Sequence, residues 1–228
     1  MELRDQHLAD LVFAHHSSAP VLEKYKLDYC CKGKRTLEQA CNEQNITLAE
    51  VIGDLQAVID DRESPARSVF SAMTPQQLAD YIVARHHVYV RQSIPQIMYH
   101  LDKVYHKHGE RYAYVSEVYT LFRKVAVELE QHMLKEEKIL FPMMEWVEQM
   151  SSAQLAGPIH VMESEHEEAG DLLSQIREIT HDYTPPPDAC TTHKLLLEEL
   201  KGFEEDLHEH VHLENHLLFP RAMAITAK

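Results

Sequence analysis

Apolar residues in the later two thirds of the chain recur every three to four positions, the period of a helix with one buried face. The first such run carries Leu78, Val83, Val90, Ile94, Ile97, Leu101 and Val104. Thr74, with Pro75 and Gln77 behind it, has the form of a helix start, and Pro95 inside the run predicts a kink. A second run covers roughly residues 116–139, with Leu121, Val125, Leu129 and Ile139 on one face. Gly157 and Pro158 read as the opening of a third, with Ile159, Met162, Ala169, Leu173 and Ile176 in register. After the triple proline 185–187 comes a fourth, carrying Leu196, Leu200, Phe203, Leu207 and Leu217. Four long amphipathic helices joined by modest connections predict an all-α protein built as an antiparallel four-helix bundle.

Ahead of the bundle, residues 1–60 predict a small helical domain bearing the adjacent pair Cys30-Cys31. Its short amphipathic pieces are interrupted by Pro20, by that pair and by Asn45. Thr36–Gln39 and Thr47–Glu50 each have the form of a capping box. The polar stretch 60–68 contains a proline and has no apolar period. The expected organisation is therefore a domain over 1–60, a linker over 61–73 and the bundle over 74–228.

Histidine interrupts the apolar stripes at matching places. The second helix contains HMLKEEKILFP from His132, and the fourth contains HVHLENHLLFP from His210. His132 and Glu136 continue the stripe through Val125 and Leu129, while His210 and Glu214 lie between Leu207 and Leu217. In the first helix His87 falls in the stripe with Val83, Val90 and Ile94, whereas His86 shares a mostly polar frame with Tyr89, Ser93 and Gln96. In the third, His166 falls between Met162 and Ala169. The row His208, His212, His216 is predicted to face solvent, because His212 stands about 200° around the helix from His210. His87 precedes His132 by 45 residues and His166 precedes His210 by 44. The bundle thus reads as two similar hairpins, each with a lone His and then a His-x-x-x-Glu pair.

Six ionisable groups on inward faces demand compensation. Burying charge without a partner costs several kcal/mol per ion, against a domain's total margin of roughly 5–15 kcal/mol. A metal offsets the carboxylates and uses the imidazole lone pairs. Shared between two ions, the ligands give two histidines each and two bridging carboxylates, with positions left for a small ligand. Imidazole and carboxylate without thiolate suit iron, and manganese or zinc answer to the same donors. Two carboxylates offset only part of the charge of two ferric ions, so the expected cofactor is two iron ions with a bridging oxo or hydroxo group.

The charge balance narrows the partners. With 22 basic against 37 acidic residues the net charge is -15, which repels phosphate backbones and argues against nucleic acid. No apolar run is long enough to span a bilayer, and the N-terminal residues lack a signal peptide's apolar stretch, so a soluble, cytoplasmic protein is expected. Seventeen histidines fit metal or proton chemistry. None of the four cysteines forms a CxxC motif, in keeping with free thiols in a reducing compartment.

Three stretches, HMLKEEKILFPM, VMESEHEEAG and HVHLENHLLFPRA, together with Asp28-Tyr29-Cys30-Cys31, resemble the hemerythrin-like di-iron proteins and, more narrowly, the repair-of-iron-centres family. The resemblance covers essentially the whole chain. It implies that His87, His132, His166 and His210 occupy the imidazole places and Glu136 and Glu214 the bridging places. It also implies a stress-response protein that restores iron-sulfur clusters damaged by nitrosative or oxidative agents. Partners would then be damaged iron-sulfur proteins, with nitric oxide or oxygen as small ligand. Oxygen-carrying hemerythrins use five histidines, and four here imply more open iron, suited to iron donation or nitric oxide chemistry.

Where the family commonly has two glycines after the cysteine pair, this chain has Lys32-Gly33, and the added charge predicts a lowered thiol pKa. Cys30 and Cys31 read either as reactive thiols exchanging metal, electrons or nitric oxide with the bundle, or as a buried core residue and a bystander. Glu128, one turn before His132, and Glu165, beside His166, either support the ligands from outside or belong to a solvated face. Three functions stay open: a repair protein, a di-iron nitric oxide reductase or oxygen-activating enzyme, and a module that binds or senses oxygen, nitric oxide or iron. A homodimer is compatible with the bundle, and the charge does not decide it.

Overall fold

The computed structural model describes residues 2–59 and 65–226, and among them there is no strand, only an isolated antiparallel bridge between His7 and Thr36. The bundle's first helix is built from Pro75–Ile82, Val83–His87 and Val88–His108, and the second from Tyr114–Lys135, Glu136–Leu140 and Phe141–Met144. The third is Ser152–Ile179, and the fourth joins Thr191–Leu213, Glu214–Leu218 and Phe219–Thr226. The second helix packs on the third, the first on the fourth, and the first on the second. At the start of the first helix the Thr74 hydroxyl accepts from the Gln77 N–H, while the Gln77 side chain accepts from the Thr74 N–H.

Among the described residues three turns are π-helical: Val83–His87, Glu136–Leu140 and Glu214–Leu218. In the second and fourth helices the Phe141 and Phe219 N–H groups reach back five residues to the Glu136 and Glu214 carbonyls. Pro142 and Pro220 come next and have no N–H to give, so the wider turn is followed by the residue that forgoes a helical bond anyway. The inserted residue shifts the register. Ile139, expected on the buried face, is 57% exposed, and Leu140 is buried instead.

Other expectations need correcting. The third helix does not open at Gly157-Pro158. It starts five residues earlier behind a capping box from Ser151 to Gln154, because Leu155 already anchors this turn in the core. Thr47 caps its helix with no side-chain hydrogen bond. The helix Pro65–Ala72 occupies part of the expected linker, and the Arg221 guanidinium donates to the Phe70 carbonyl at 3.0 Å and to that of Met73. Residues 60–64 of that stretch lie outside those described. The first helix runs through Pro95 without interruption, and its irregular turn lies a full two turns earlier.

The N-terminal helices Leu8–Ala14, Ala19–Lys24, Leu37–Glu43 and Leu48–Val58 bury Leu8, Leu11, Leu22, Leu37 and Leu55 in one apolar cluster with Leu173, Ile176 and Leu207 of the bundle. This contact overturns the solvent-facing placement of His208, His212 and His216. The fourth helix is covered on both sides, so the face opposite His210 meets the N-terminal unit. The Tyr29 ring stands edge-on to His208 and His212, 6.0 and 5.6 Å between centroids, and the His216 imidazole lies 2.7 Å from the Cys30 carbonyl. His86, assigned to a polar frame, is also fully buried, 3.2 Å from Asp206. No described helix is long and apolar enough to cross a membrane.

Gly33 explains why one glycine after the cysteine pair suffices. A Cβ there would overlap the Tyr29 carbonyl and lie 2.7 Å from His216 Nε2, whereas Lys32 is exposed. Gly33→Ala is expected to lower stability by about 1–3 kcal/mol through overpacking. Gly53→Ala, at an exposed helical site with nothing within 4 Å, is expected to raise it by about 0.5–1 kcal/mol. Chemical denaturation of the two variants checks both.

Burial, then the neighbouring His216, holds the His212 pKa down at about 3. Its unfolded form binds a proton below about pH 6.5 while the folded form does not, so this contribution is complete above that pH and shrinks as pH falls toward 3. Between about pH 7 and pH 5, wild-type protein should lose about 2 kcal/mol more stability than His212→Leu, which has no proton to bind. Denaturant titrations at the two pH values measure the difference.

Candidate metal centre

All six sequence-identified residues converge in the bundle interior, where each is at most 3% exposed. They form two overlapping groups, His87-Glu136-His210-Glu214 and His132-Glu136-His166-Glu214, with the ligating atoms of each group within 4.8 Å of one another. The two carboxylates belong to both. Glu136 turns Oε2 toward His87 Nε2 and Oε1 toward His132 Nε2, each at 3.3 Å. Glu214 turns Oε1 toward His210 Nε2 at 3.0 Å and Oε2 toward His166 Nε2 at 2.9 Å. His87, Glu136 and Glu214 all lie in the π-helical turns.

The outward nitrogens are held as well. His87 Nδ1 lies 2.8 Å from Glu137, which also accepts from Arg91 at 2.7 Å. His132 Nδ1 lies 2.9 Å from Glu165, which is bonded in turn by Lys135. His166 Nδ1 lies 3.0 Å from Asn215 Oδ1, and the same amide donates from Nδ2 to the Cys30 carbonyl. Those acceptors place the proton on Nδ1 and turn the Nε2 lone pairs to the centre. His166 Nε2 and His132 Nε2 face each other across 3.0 Å, an arrangement that needs a cation or a proton between them.

The electrostatics say the same. Burial opposes charge on His132, yet Glu136 and Glu165 outweigh it and lift its pKa to about 10. Burial would raise the Glu214 carboxyl, but His210 and His166 hold it well below the usual range. Glu165 is held down at about 2, chiefly by its bond to His132.

The structure does not bring every expected residue to the centre. Glu165 reaches His132, but the observed ion pair of Glu128 is with Lys124 on its own helix, at 3.6 Å. The Cys30 and Cys31 sulfurs lie 3.9 Å apart in the N-terminal unit, and all four cysteines are free thiols. The Cys30 pKa is raised by its bond to Cys31, by burial and by Asp28, opposite to the lowering expected from Lys32. Glu137 and Asn215 went unseen in the sequence, although the repeat marks them. Each follows a shared Glu, and each supports the lone His of the preceding helix.

The model of the hemerythrin HHE cation binding domain matches residues 78–222, and that of a domain of unknown function, DUF542 or ScdA_N, matches residues 4–59. The chain is 36% identical over 224 residues to the iron-sulfur cluster repair protein YtfE of Escherichia coli O81 (strain ED1a), covering 98% of this chain and 99% of the relative. It is 37% identical to the protein of the same name from Cronobacter sakazakii, over the same shares.

The chain belongs to the hemerythrin-like iron-sulfur cluster repair family. Its match to the HHE model includes all six buried ligand candidates. Replacing an outer partner, as in Glu165→Gln or Glu137→Gln, should weaken metal binding by about 10–100-fold while Glu128→Gln leaves it unchanged. Competition of the iron-loaded proteins with a chelator measures this.

Proposed function

We propose that this chain binds two iron ions and uses them to repair iron-sulfur clusters damaged by nitrosative or oxidative stress. The observation that carries the reading is the pair of buried carboxylates, each offering one oxygen to each of two histidine pairs. The donors fit the group. Both oxygens of Glu136 and Nε2 of His87 are buried with no hydrogen-bond partner among the described residues, so a cation satisfies atoms that the protein leaves unpaired. His87 and His210 would hold one ion, His132 and His166 the other, with Glu136 and Glu214 shared and an oxo or hydroxo bridge completing the charge balance. When bound, iron supplies Lewis acidity and a redox couple, with positions that the protein does not fill.

The chain's own residues set access. His132 is buried, whereas Glu165 and Lys135 beyond it are 26% and 43% exposed, so this ion pair forms a charged rim between one pair of ligands and solvent. Burial of every ligand excludes bulk water, which suits a small ligand such as nitric oxide or oxygen. Free thiols match a reducing, cytoplasmic setting. The curated relatives carry iron-sulfur cluster repair in their names, which makes damaged iron-sulfur proteins the fitting partners. A simple oxygen carrier has no use for a cysteine-bearing unit bonded to the bundle, and this favours repair over storage.

Iron-loaded protein should restore the activity of a client enzyme whose cluster has been degraded by nitric oxide. Glu136→Gln and His132→Ala should lower that rate by at least about tenfold together with bound iron, since each removes a direct donor. Equal repair by a variant shown to contain no iron defeats the reading, and catalytic turnover of nitric oxide without iron transfer assigns the centre to a reductase.

A further inference from the structure

The loop holding the cysteine pair contains a second set of metal donors, separate from the bundle. Asp28, Cys30 and Cys31 bring an oxygen and two sulfurs within 4.8 Å of one another. Asp28 Oδ1 organises the loop, accepting from the Cys31 N–H at 2.8 Å, the Cys30 N–H at 3.1 Å and the Cys30 thiol at 3.3 Å. The Cys30 sulfur meets this carboxylate directly, and the Cys31 sulfur lies within 4.8 Å of a carboxylate oxygen. Their 3.9 Å separation is too long for a bond and close to the roughly 3.8 Å between two sulfurs of a tetrahedral ion with metal–sulfur bonds of about 2.3 Å.

The site is open on one side. The three residues line a cavity of about 270 Å³ whose wall carries the carboxylates Glu23, Glu167 and Asp171 beside the basic Lys26, Lys32 and Arg177. The loop is fixed from behind, where His216 and Asn215 hold the Cys30 carbonyl and Gly33 admits no side chain. Cys31 is half-buried, so an ion can reach it from the cavity.

We infer that Asp28, Cys30 and Cys31 form a binding site for one thiophilic divalent cation of the ferrous or zinc type, open to the cavity at its remaining position. The sulfurs ligate as thiolates, and the protons they carry leave to solvent as the ion binds, so no oxidant or reductant is needed. The site rests on the proposed role of the chain only in that iron is the natural occupant.

Cobalt(II) is the probe, added to full-length, iron-loaded protein carrying Cys190→Ser to remove the exposed thiol. One cobalt per chain should bind, with a thiolate-to-cobalt charge-transfer band. The band should vanish in an added Cys31→Ser change, and Asp28→Asn should weaken binding by at least about tenfold. Absence of the band, or its survival after Cys31→Ser, overturns the site. Zinc protection of Cys31 against alkylation, read by mass spectrometry on the unmutated chain, requires no variant to fold. An unchanged alkylation rate also overturns the site. Iron content measured in the same samples separates the two proposals. Iron retained without cobalt binding defeats only this site, and cobalt bound without iron retention defeats only the bundle centre.

Discussion

Two carboxylates sealed among four imidazoles are the constraint around which this protein is arranged. Glu136 and Glu214 are fully buried, and an unpaired charge at such a place costs several kcal/mol. Everything near them serves to hold them in place. Each opens a π-helical turn, and a proline, which has no N–H to give, follows that turn. Glu137, Glu165 and Asn215 then fix three imidazoles so that their lone pairs point the same way. None of these features would be worth keeping in an ordinary apolar bundle, where leucine at the same positions would pack with less penalty.

The two hairpins repeat each other closely, and one of their divergences is informative. Glu165 precedes His166 and supports His132; the corresponding residue before His87 is His86, which stacks on His210 at 5.5 Å and cannot play the same part. His210 Nδ1 is consequently buried with no hydrogen-bond partner among the described residues. Its pKa is nonetheless raised, against burial, by Glu214. The pair His132-His166 is thus the better braced of the two. The asymmetry comes from one residue position in the repeat.

The stripes in the sequence were enough to find the bundle and the six inward ligand candidates, because each of those residues replaces an apolar neighbour on a face with helical period. They misled where a local rule gave way to packing. Ile139 follows a period that the π turn breaks, and Gly157-Pro158 has the form of a helix start although Leu155 already anchors an earlier turn in the core. His86, His208, His212 and His216 look like a solvated frame when each helix is considered alone. They are covered because Asp206 sits beside the first and the N-terminal unit covers the others, and no periodicity within one helix carries that information. Glu137 and Asn215 could have been found by aligning the two hairpins.

That covering unit does more than bury surface. The Cys30 carbonyl accepts from the Asn215 amide at 3.3 Å, and this bond orients the amide so that its oxygen faces His166 Nδ1. An amide with both ends engaged has no freedom to flip, so the tautomer of His166 is set from the cysteine loop, across the fourth helix. Any change that lifts the loop would release Asn215, and with it the Nε2 lone pair that His166 turns inward. The cysteine pair and the buried centre are therefore joined by a chain of two hydrogen bonds.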